Sequence, residues 1–216
     1  MSGRAILQFF LICIAMLAGP AMAQQDITIR ENQDYRVLTP TQPVNSQQIE
    51  MIDFFWYGCP YCNQLQPHLD AWIKQRKPAD VVIRRIPAVL RENWVPHARI
   101  YYTLEALGEV ERLHLQVYHS YHVEELFMSR PEVMEEWAVK HGIDRQRWIA
   151  AYNSSETQQK AIQAAELTRR YQVQGTPSLI IDGRYITSTG MVETVPAVLP
   201  VVDQLIKLAR ERRGAR

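Results

Sequence analysis

Two cysteines separated by two residues, Cys59 and Cys62, are the residues of this chain best suited to chemistry. They close an aromatic run that reads FFWYGCPYC and begins at Phe54. A pair at this spacing could be a disulfide staple, half of a metal site or a redox centre that exchanges disulfides. Each use needs different companion residues, so the rest of the chain discriminates among them.

A structural disulfide between these cysteines would stabilise the fold poorly. A bridge stabilises by removing conformational entropy from the unfolded chain, and the gain grows with the length of the loop that it closes. Here only Pro60 and Tyr61 separate the two cysteines. The pair is therefore badly explained as a staple.

A metal site needs more ligands than the pair offers. Structural zinc sites use four Cys or His ligands, usually as two closely spaced pairs. Among the histidines only His119 and His122 approach such spacing, in a segment with a helical pattern where one side chain per turn faces water. We predict no metal ligands and no cofactor other than a redox-active Cys59–Cys62 disulfide.

The local sequence favours a redox centre. The run Ile49–Phe55 has the length of a strand, and Cys59–Lys77 has helical periodicity. Gly58 allows the sharp turn between them. Pro60 suits a first helical turn, because the N–H that it lacks would have no partner there. These elements place the cysteines at the start of a helix.

The two cysteines then have different roles. At the helix N-terminus, unpaired backbone N–H groups and the positive end of the dipole favour a thiolate on Cys59. Its pKa is expected to be lowered, and its sulfur to be the attacking one. Cys62 lies one turn further along, within bonding reach. We predict that it is the resolving thiol, which closes the disulfide and releases a mixed-disulfide intermediate.

The N-terminal residues predict export. Arg4 precedes a nearly uninterrupted apolar run, Ala5–Ala18, and an Ala-Met-Ala sequence ending at Ala23 provides the small-residue cleavage pattern. We predict a signal peptide over residues 1–23, cleaved after Ala23. An uncleaved membrane anchor is the alternative, but the apolar run falls short of the ~20 residues that span a bilayer.

Composition limits the class of partner. The chain has 24 Lys and Arg against 23 Asp and Glu, and removal of Arg4 with the signal peptide would leave equal numbers. Zero net charge argues against nucleic acid or an anionic membrane surface as the main partner. The same cleavage would remove Cys13, so the mature chain would hold one cysteine pair. Its length suits one domain that carries a large insertion.

The other predicted elements surround this centre. Val81–Ile86 has the pattern of a second strand, and Asp182-Gly183 joins Ser178–Ile181 to Tyr185–Ser188 as a hairpin. A last helix is predicted from Thr194 to Arg213. Between the strands, helical periodicity predicts five helices, near Val95–Leu107, Glu109–Tyr121, Pro131–His141, Asp144–Tyr152 and Ser155–Tyr171.

A strand, a CxxC pair at a helix start and a later Thr176-Pro177 before a strand together resemble the thioredoxin superfamily. FFWYGCPYC in an exported chain is most similar to the DsbA-type periplasmic thiol oxidases, and the resemblance runs from Tyr35 to about Arg213. It implies an α/β fold, in which a thioredoxin-like domain over 24–90 and 172–216 carries an inserted helical subdomain over 91–171.

The resemblance also assigns roles to residues outside the cysteine pair. The matching proline of the family is cis and lies against the cysteines, which implies a cis Pro177 and a Thr176 backbone that pairs with bound peptide. The family carries an acid six positions before the first cysteine, and Asp53 matches it. Asp53 would be a buried carboxylate that relays the proton of Cys62, or else a strand end that reaches water. Tyr57 would form the floor of a groove that binds peptides, or else belong to the core.

By the same resemblance, the enzyme would donate its disulfide to newly exported polypeptides in the periplasm. Its partners would be these polypeptides and a DsbB-type, quinone-linked reoxidase of the inner membrane, and it is expected to be a monomer. Pro60 and Tyr61, between the cysteines, would tune the redox pair. Tyr61 departs from the histidine that many DsbA-type oxidases carry. Because a neutral phenol stabilises the Cys59 thiolate less than a histidine cation, we hypothesise a weaker oxidant.

Two alternatives remain open from the sequence. A periplasmic reductase or isomerase would use the same chemistry, because the direction of exchange depends on potential and partner. Isomerases of the superfamily usually dimerise through an N-terminal domain, for which the about 35 residues between Ala23 and Cys59 are too few. A peptide-binding chaperone with incidental cysteines would keep its activity in a double Cys-to-Ser variant.

Overall fold

The computed structural model describes residues 27–44 and 47–215 of the chain. The predicted signal peptide, residues 1–23, and its cleavage site after Ala23 lie outside the described residues. Within these ranges, no helix has the length and apolar character that a bilayer crossing requires.

A mixed five-stranded sheet lies at the centre of the fold. Its strands are β1 Arg36–Val37, β2 Ile49–Phe55, β3 Val81–Pro87, β4 Ser178–Ile181 and β5 Tyr185–Ser188. Their spatial order is β1-β5-β4-β2-β3. Strands β2 and β3 run parallel, whereas the other neighbouring pairs are antiparallel. β2 thus lies inside the sheet, between β4 and β3, and leads directly to the cysteines.

Seven α-helices pack around this sheet in the described part of the chain. They are α1 Pro60–Gln75, α2 Val95–Leu107, α3 Val110–His122, α4 Pro131–Lys140, α5 Arg145–Tyr152, α6 Ser155–Arg170 and α7 Val198–Gly214. Five of them, α2 to α6, follow one another between β3 and β4. The fold is the predicted α/β thioredoxin fold with a large helical insertion.

Alternate residues of β2 belong to two different apolar clusters. Ile52 and Phe54 pack with residues of α2 to α6, whereas Ile49 and Met51 pack with α1 and α7. Both faces of the sheet are therefore covered, which explains why β2 is apolar on both sides. Asp53 lies on the same face as Met51, so this register places a carboxyl group in the core beside α1.

Two features of the sheet and its last helix differ from the sequence prediction. The sequence does not predict β1, because two residues are too few to show strand alternation; pairing with β5 alone defines this strand. The last helix begins at Val198 instead of Thr194. The preceding Val195–Ala197 forms a tighter 3₁₀ turn, which is common at the end of a helix.

Candidate active site

Helix α1 begins at the first cysteine. Cys59 is its N-cap, with extended backbone angles (φ −90°, ψ 117°), and Pro60 is the first helical residue. Sγ of Cys59 accepts the backbone N–H of Cys62 at 3.3 Å, in the manner of a capping oxygen. The helix terminus therefore stabilises negative charge on this sulfur.

The loop before β4 closes over the same sulfur. The Cys59 thiol donates a hydrogen bond to the carbonyl oxygen of Thr176 at 3.1 Å, across 117 positions of sequence. The Thr176–Pro177 peptide bond is cis, so the predicted isomer is confirmed, and Pro177 is buried. The contact forms because β4 pairs with β2, which brings the start of β4 beside the start of α1.

Hydrogen bonds lower the pKa of Cys59 to about 6. The largest contribution is the hydrogen bond with the thiol of Cys62, and burial acts in the opposite direction. The side chain of Thr176 and the backbone of Cys62 and Tyr61 lower the pKa further. At pH 7 the thiolate of Cys59 would then exceed its thiol by about tenfold. The predicted lowering of this pKa is confirmed.

Cys62 is fully buried, whereas Cys59 keeps 6% of its surface exposed. Burial raises the pKa of Cys62 well above that of an ordinary thiol, and its hydrogen bond to Cys59 and the charges of Cys59 and Asp53 raise it further. Both cysteines are free thiols, so the structure shows the reduced pair. The site thus favours the thiolate of Cys59 and the thiol of Cys62 at neutral pH.

Asp53 is completely buried between β2 and α1. Nε2 of Gln66 donates to its Oδ2 at 2.8 Å. Burial raises the pKa of Asp53, while the Gln66 hydrogen bond and the positive charge of Arg85 oppose the rise. The alternative of a strand end in water is therefore wrong. Sequence reasoning missed Gln66, although its position four residues after Cys62 on a helix predicts the same face.

Tyr57 lies in the core and does not line a groove. Its side chain is 1% exposed, and its hydroxyl lies 2.9 Å from Nδ1 of His114 on α3. Its ring packs edge-on against Phe55 and Tyr118. This burial argues against the predicted substrate-binding role, because a buried tyrosine whose hydroxyl has found a partner is a packing residue.

The turn between β2 and α1 is packed against an aromatic pair. The indole of Trp56 stacks on that of Trp94, with centroids 4.0 Å apart and planes 4° from parallel. A Cβ atom on Gly58 would come within 2.3 Å of the Trp56 ring. Gly58 is therefore required for this close approach, in addition to the turn that the sequence predicts.

A groove of about 630 Å³ opens beside Cys59. Tyr61, Thr176 and Pro177 line it, together with Arg36, β5 and the segment that follows β5. Tyr61 is 55% exposed, so its phenol lies at the surface of the site. The groove thus brings the loop before β4 and Tyr61, which lies between the cysteines, to one face of the molecule.

A metal centre has no support in the described part of the chain. No group of three or more His, Cys, Asp or Glu side chains there is arranged to hold an ion. His122 instead places Nε2 at 2.8 Å from the carbonyl oxygen of Tyr57. His119 is exposed near Glu124. The two histidines with ligand spacing therefore have separate structural contacts.

Known proteins resemble this chain along nearly all of its length. The DsbA thiol:disulfide interchange protein of Pseudomonas aeruginosa is 30% identical over 214 residues, which cover 99% of both chains. The corresponding protein of Azotobacter vinelandii is 34% identical over 163 residues, or 76% of each chain. Both relatives carry the same name, so the similarity points to one family.

Solved structures give the same result. The crystal structure of Pseudomonas aeruginosa DsbA superposes with a TM-score of 0.80 at 30% identity and covers 85% of this chain and 96% of its own. The DsbA oxidoreductase of Xylella fastidiosa gives a TM-score of 0.75 at 25% identity, over 82% and 96%. The family model of the DSBA-like thioredoxin domain matches residues 79–197. The chain therefore belongs to the family of DsbA-like thioredoxin-fold proteins.

Proposed function

We propose that this chain is a thiol:disulfide oxidoreductase that donates its Cys59–Cys62 disulfide to exported polypeptides. A substrate thiolate attacks Sγ of Cys59, a mixed disulfide forms, and Cys62 leaves as a thiolate that takes up a proton. A second substrate thiolate then attacks the substrate sulfur of the mixed disulfide and expels the Cys59 thiolate. The substrate gains one disulfide, and the enzyme is left with two thiols.

The observation that carries this proposal is the difference between the two sulfurs. The pKa of Cys59 is lowered to about 6, while burial raises that of Cys62. A low-pKa thiolate is a good leaving group, so the mixed disulfide at Cys59 breaks readily in favour of the substrate disulfide. The same thiolate stabilises the reduced enzyme and makes its disulfide more oxidising.

Substrate recognition is proposed to occur at the loop before β4 and the groove beside it. Thr176 contacts Cys59, and both Thr176 and Pro177 line the groove. An extended peptide that pairs with the Thr176 backbone would gain affinity from main-chain hydrogen bonds, with little demand on its sequence. Pro60 and Tyr61, at the start of α1, are proposed to tune the redox properties of the cysteine pair. Asp53 is proposed to do so from the buried side.

The setting of the reaction is also proposed. The N-terminal pattern over residues 1–23 supports export to the periplasm and cleavage near Ala23. The reduced enzyme would then be reoxidised by a DsbB-type, quinone-linked protein of the inner membrane and would work as a monomer. Residues 24–90 and 172–216 would form the catalytic thioredoxin-like domain, and residues 91–171 its helical subdomain.

A reductase is a second candidate, which the size of the pKa shift favours. A Cys59 pKa of about 6, against an ordinary value of about 8.5, favours the reduced form at pH 7 by roughly 1.4 kcal/mol, or about 30 mV of oxidising power. A fall to about 4.5 would supply roughly 75 mV. The oxidase assignment therefore depends on further stabilisation of the reduced state.

The test is the equilibrium of the Cys59–Cys62 pair with glutathione, followed by alkylation and mass spectrometry. The proposal expects a potential well above the about −270 mV of thioredoxin, and oxidation of a dithiol peptide by the oxidised protein. A potential near that of thioredoxin would favour the reductase. A Cys59→Ser/Cys62→Ser double variant controls for peptide binding, since a chaperone would retain its activity without the cysteines.

A further inference from the structure

A buried amide lies beside the proposed proton relay, and the reaction described above does not use it. Gln66, on α1, and Asp53, on β2, are both completely buried. A long amide side chain is rarely buried without a partner, because removing it from water is unfavourable unless hydrogen bonds replace those lost. Its amide nitrogen Nε2 donates a hydrogen bond to Oδ2 of Asp53 at 2.8 Å. The contact is therefore the reason to ask what Gln66 does for the carboxyl group.

Gln66 bonds one oxygen of the carboxyl group and leaves the other without a partner. Among the described residues, Asp53 Oδ1 and Gln66 Oε1 have no hydrogen-bond partner. A carboxyl oxygen with no donor nearby is the one that can accept and return a proton. The charge of Asp53 acts on Cys62 and raises the pKa of that thiol, which places the two groups in the same buried region.

We propose that Gln66 is a positioning residue for disulfide exchange: its amide holds Oδ2 of Asp53, so that Oδ1 takes up and returns the proton of Cys62. The inference rests on the proposed function. In resolution of a mixed disulfide, the Cys62 proton passes to Oδ1. The Cys62 thiolate then attacks Sγ of Cys59, forms the intramolecular disulfide and expels the partner thiolate. In substrate oxidation Cys62 leaves as a thiolate, and the proton returns from Asp53.

The amide also sets the pH range in which Asp53 can act. A donated hydrogen bond favours the charged carboxylate, so Gln66 opposes the effect of burial on the pKa of Asp53. The ionisable groups that face Asp53 come from several elements: Cys62 and Asp70 on α1, Arg85 on β3, Tyr101 on α2 and Tyr118 on α3. Among the described residues, the Asp53 side chain has one hydrogen-bond partner, the amide of Gln66.

Helix α1 continues the polar row towards the surface. Asp70 follows Gln66 by one turn and accepts a hydrogen bond from Arg85 at 2.6 Å. Arg85 is the cross-strand neighbour of Asp53 in the β2–β3 ladder, and it is partly exposed with Asp70. Arg85 and Asp70 also line an open groove between α1 and α3.

Substitution of Gln66 by leucine tests the proposal, with Gln64→Leu as the matched control. Both glutamines lie on α1, but Gln64 is exposed. The first measurement is the ¹³C NMR titration of the Asp53 carboxyl carbon in the reduced protein. In Gln66→Leu the inflection is expected to move to higher pH, because the carboxylate loses its donor. It is expected to stay in place in Gln64→Leu.

The second measurement is the release of glutathione from a Cys59–glutathione mixed disulfide across pH 5 to 9. Gln66→Leu is expected to slow release at pH 7 by on the order of tenfold and to move the pH profile in the direction of the NMR titration. Gln66→Glu serves if the leucine variant folds poorly. A second carboxyl group beside Asp53 would then split the titration into two steps.

An unchanged titration and pH profile in Gln66→Leu would overturn the proposal and leave Gln66 as a packing residue. An equal change in Gln64→Leu would also overturn it, because the effect would then come from the helix as a whole. The NMR titration needs no turnover. If the wild-type protein failed to oxidise a dithiol peptide, the proposed function would fall, while the titration would still report on Gln66.

Discussion

The cysteine pair has an outer side and an inner side, and they differ in every property that matters for exchange. The outer side consists of Cys59, Tyr61 and Thr176 beside the open groove. The inner side consists of Cys62, Asp53 and Gln66, all completely buried. Donors surround the sulfur of the outer side and favour a thiolate, whereas burial on the inner side favours protonated groups.

The comparison teaches that one helical turn is enough to give two identical side chains opposite chemistry. Backbone N–H groups at the start of α1 are available to Cys59, but they are already bonded one turn further in. A charge on Cys59 is therefore stabilised, while a charge on Cys62 has lost its water without replacement. The predictions below challenge this difference, from the largest expected effect to the smallest.

Serine substitutions of the two cysteines are expected to have the largest effects and to differ most between the outer and the inner side. Cys59→Ser is expected to reduce dithiol oxidation by more than about a thousandfold and to form no mixed disulfide, because the attacked sulfur is gone. Cys62→Ser keeps the outer sulfur and is expected to accumulate a mixed disulfide at Cys59. Mass spectrometry after incubation of the reduced variants with a disulfide-linked cysteine peptide distinguishes them, because the Cys59 thiolate attacks the peptide disulfide, keeps one peptide as a mixed disulfide and releases the other as a thiol. Equal trapping in both variants would contradict the assigned roles.

Removal of the inner thiol should change the ionisation of the outer one. In Cys62→Ala the pKa of Cys59 is expected to rise from about 6 towards the ordinary value of about 8.5, because its strongest hydrogen bond is lost. Thiolate absorbance at 240 nm against pH measures this change. Asn63→Ala, the next residue on α1, is the control and should leave the pKa in place.

The lowered pKa of Cys59 also predicts how the stability of the reduced protein depends on pH. Its folded pKa, about 6, is below its unfolded value of about 8.5. The thiolate therefore contributes stability that is complete above pH 8.5 and is lost as pH falls through 6. Urea unfolding of the reduced and oxidised proteins between pH 5 and 9 should show this contribution in the reduced form alone.

Tyr57→Phe tests whether the aromatic residue beside the site belongs to the core. The variant is expected to lose about 1–3 kcal/mol of unfolding free energy, since His114 loses its buried partner. The KM for a dithiol peptide should not change. Tyr61→Phe, on the outer side, is the matched control with little effect on stability. A raised KM in Tyr57→Phe alone would restore the substrate-binding role.

Tyr61→His should produce the smallest effect. A histidine cation beside the Cys59 thiolate is expected to raise the redox potential by on the order of 20–40 mV. The exposure of the side chain, 55%, limits the gain because water and salt screen the charge. Glutathione equilibrium measures the change. An unchanged redox potential would contradict the hypothesis that Tyr61 makes this protein a weaker oxidant.

Much of the fold can be predicted from local pattern. β2, β4, β5 and α2 have the bounds that the sequence predicts, because hydrophobic periodicity and turn residues act within a few positions. The strand β1 could not be predicted in this way, since only its pairing with β5 defines it. The predicted start of α7, Thr194, was wrong, because the 3₁₀ turn Val195–Ala197 has the same helical sequence pattern as the α-helix that follows it.

The sequence by itself determined the cysteine spacing, the helix that begins at Cys59 and the acid at position 53. Only the tertiary structure decided that Thr176 reaches Cys59 across 117 positions, that Gln66 binds Asp53 and that Tyr57 turns into the core. The physical reason is the distance along the chain over which each effect acts. Propensity and capping act over about one helical turn, whereas these contacts depend on strand order and on the packing of α1 and α3 against the sheet.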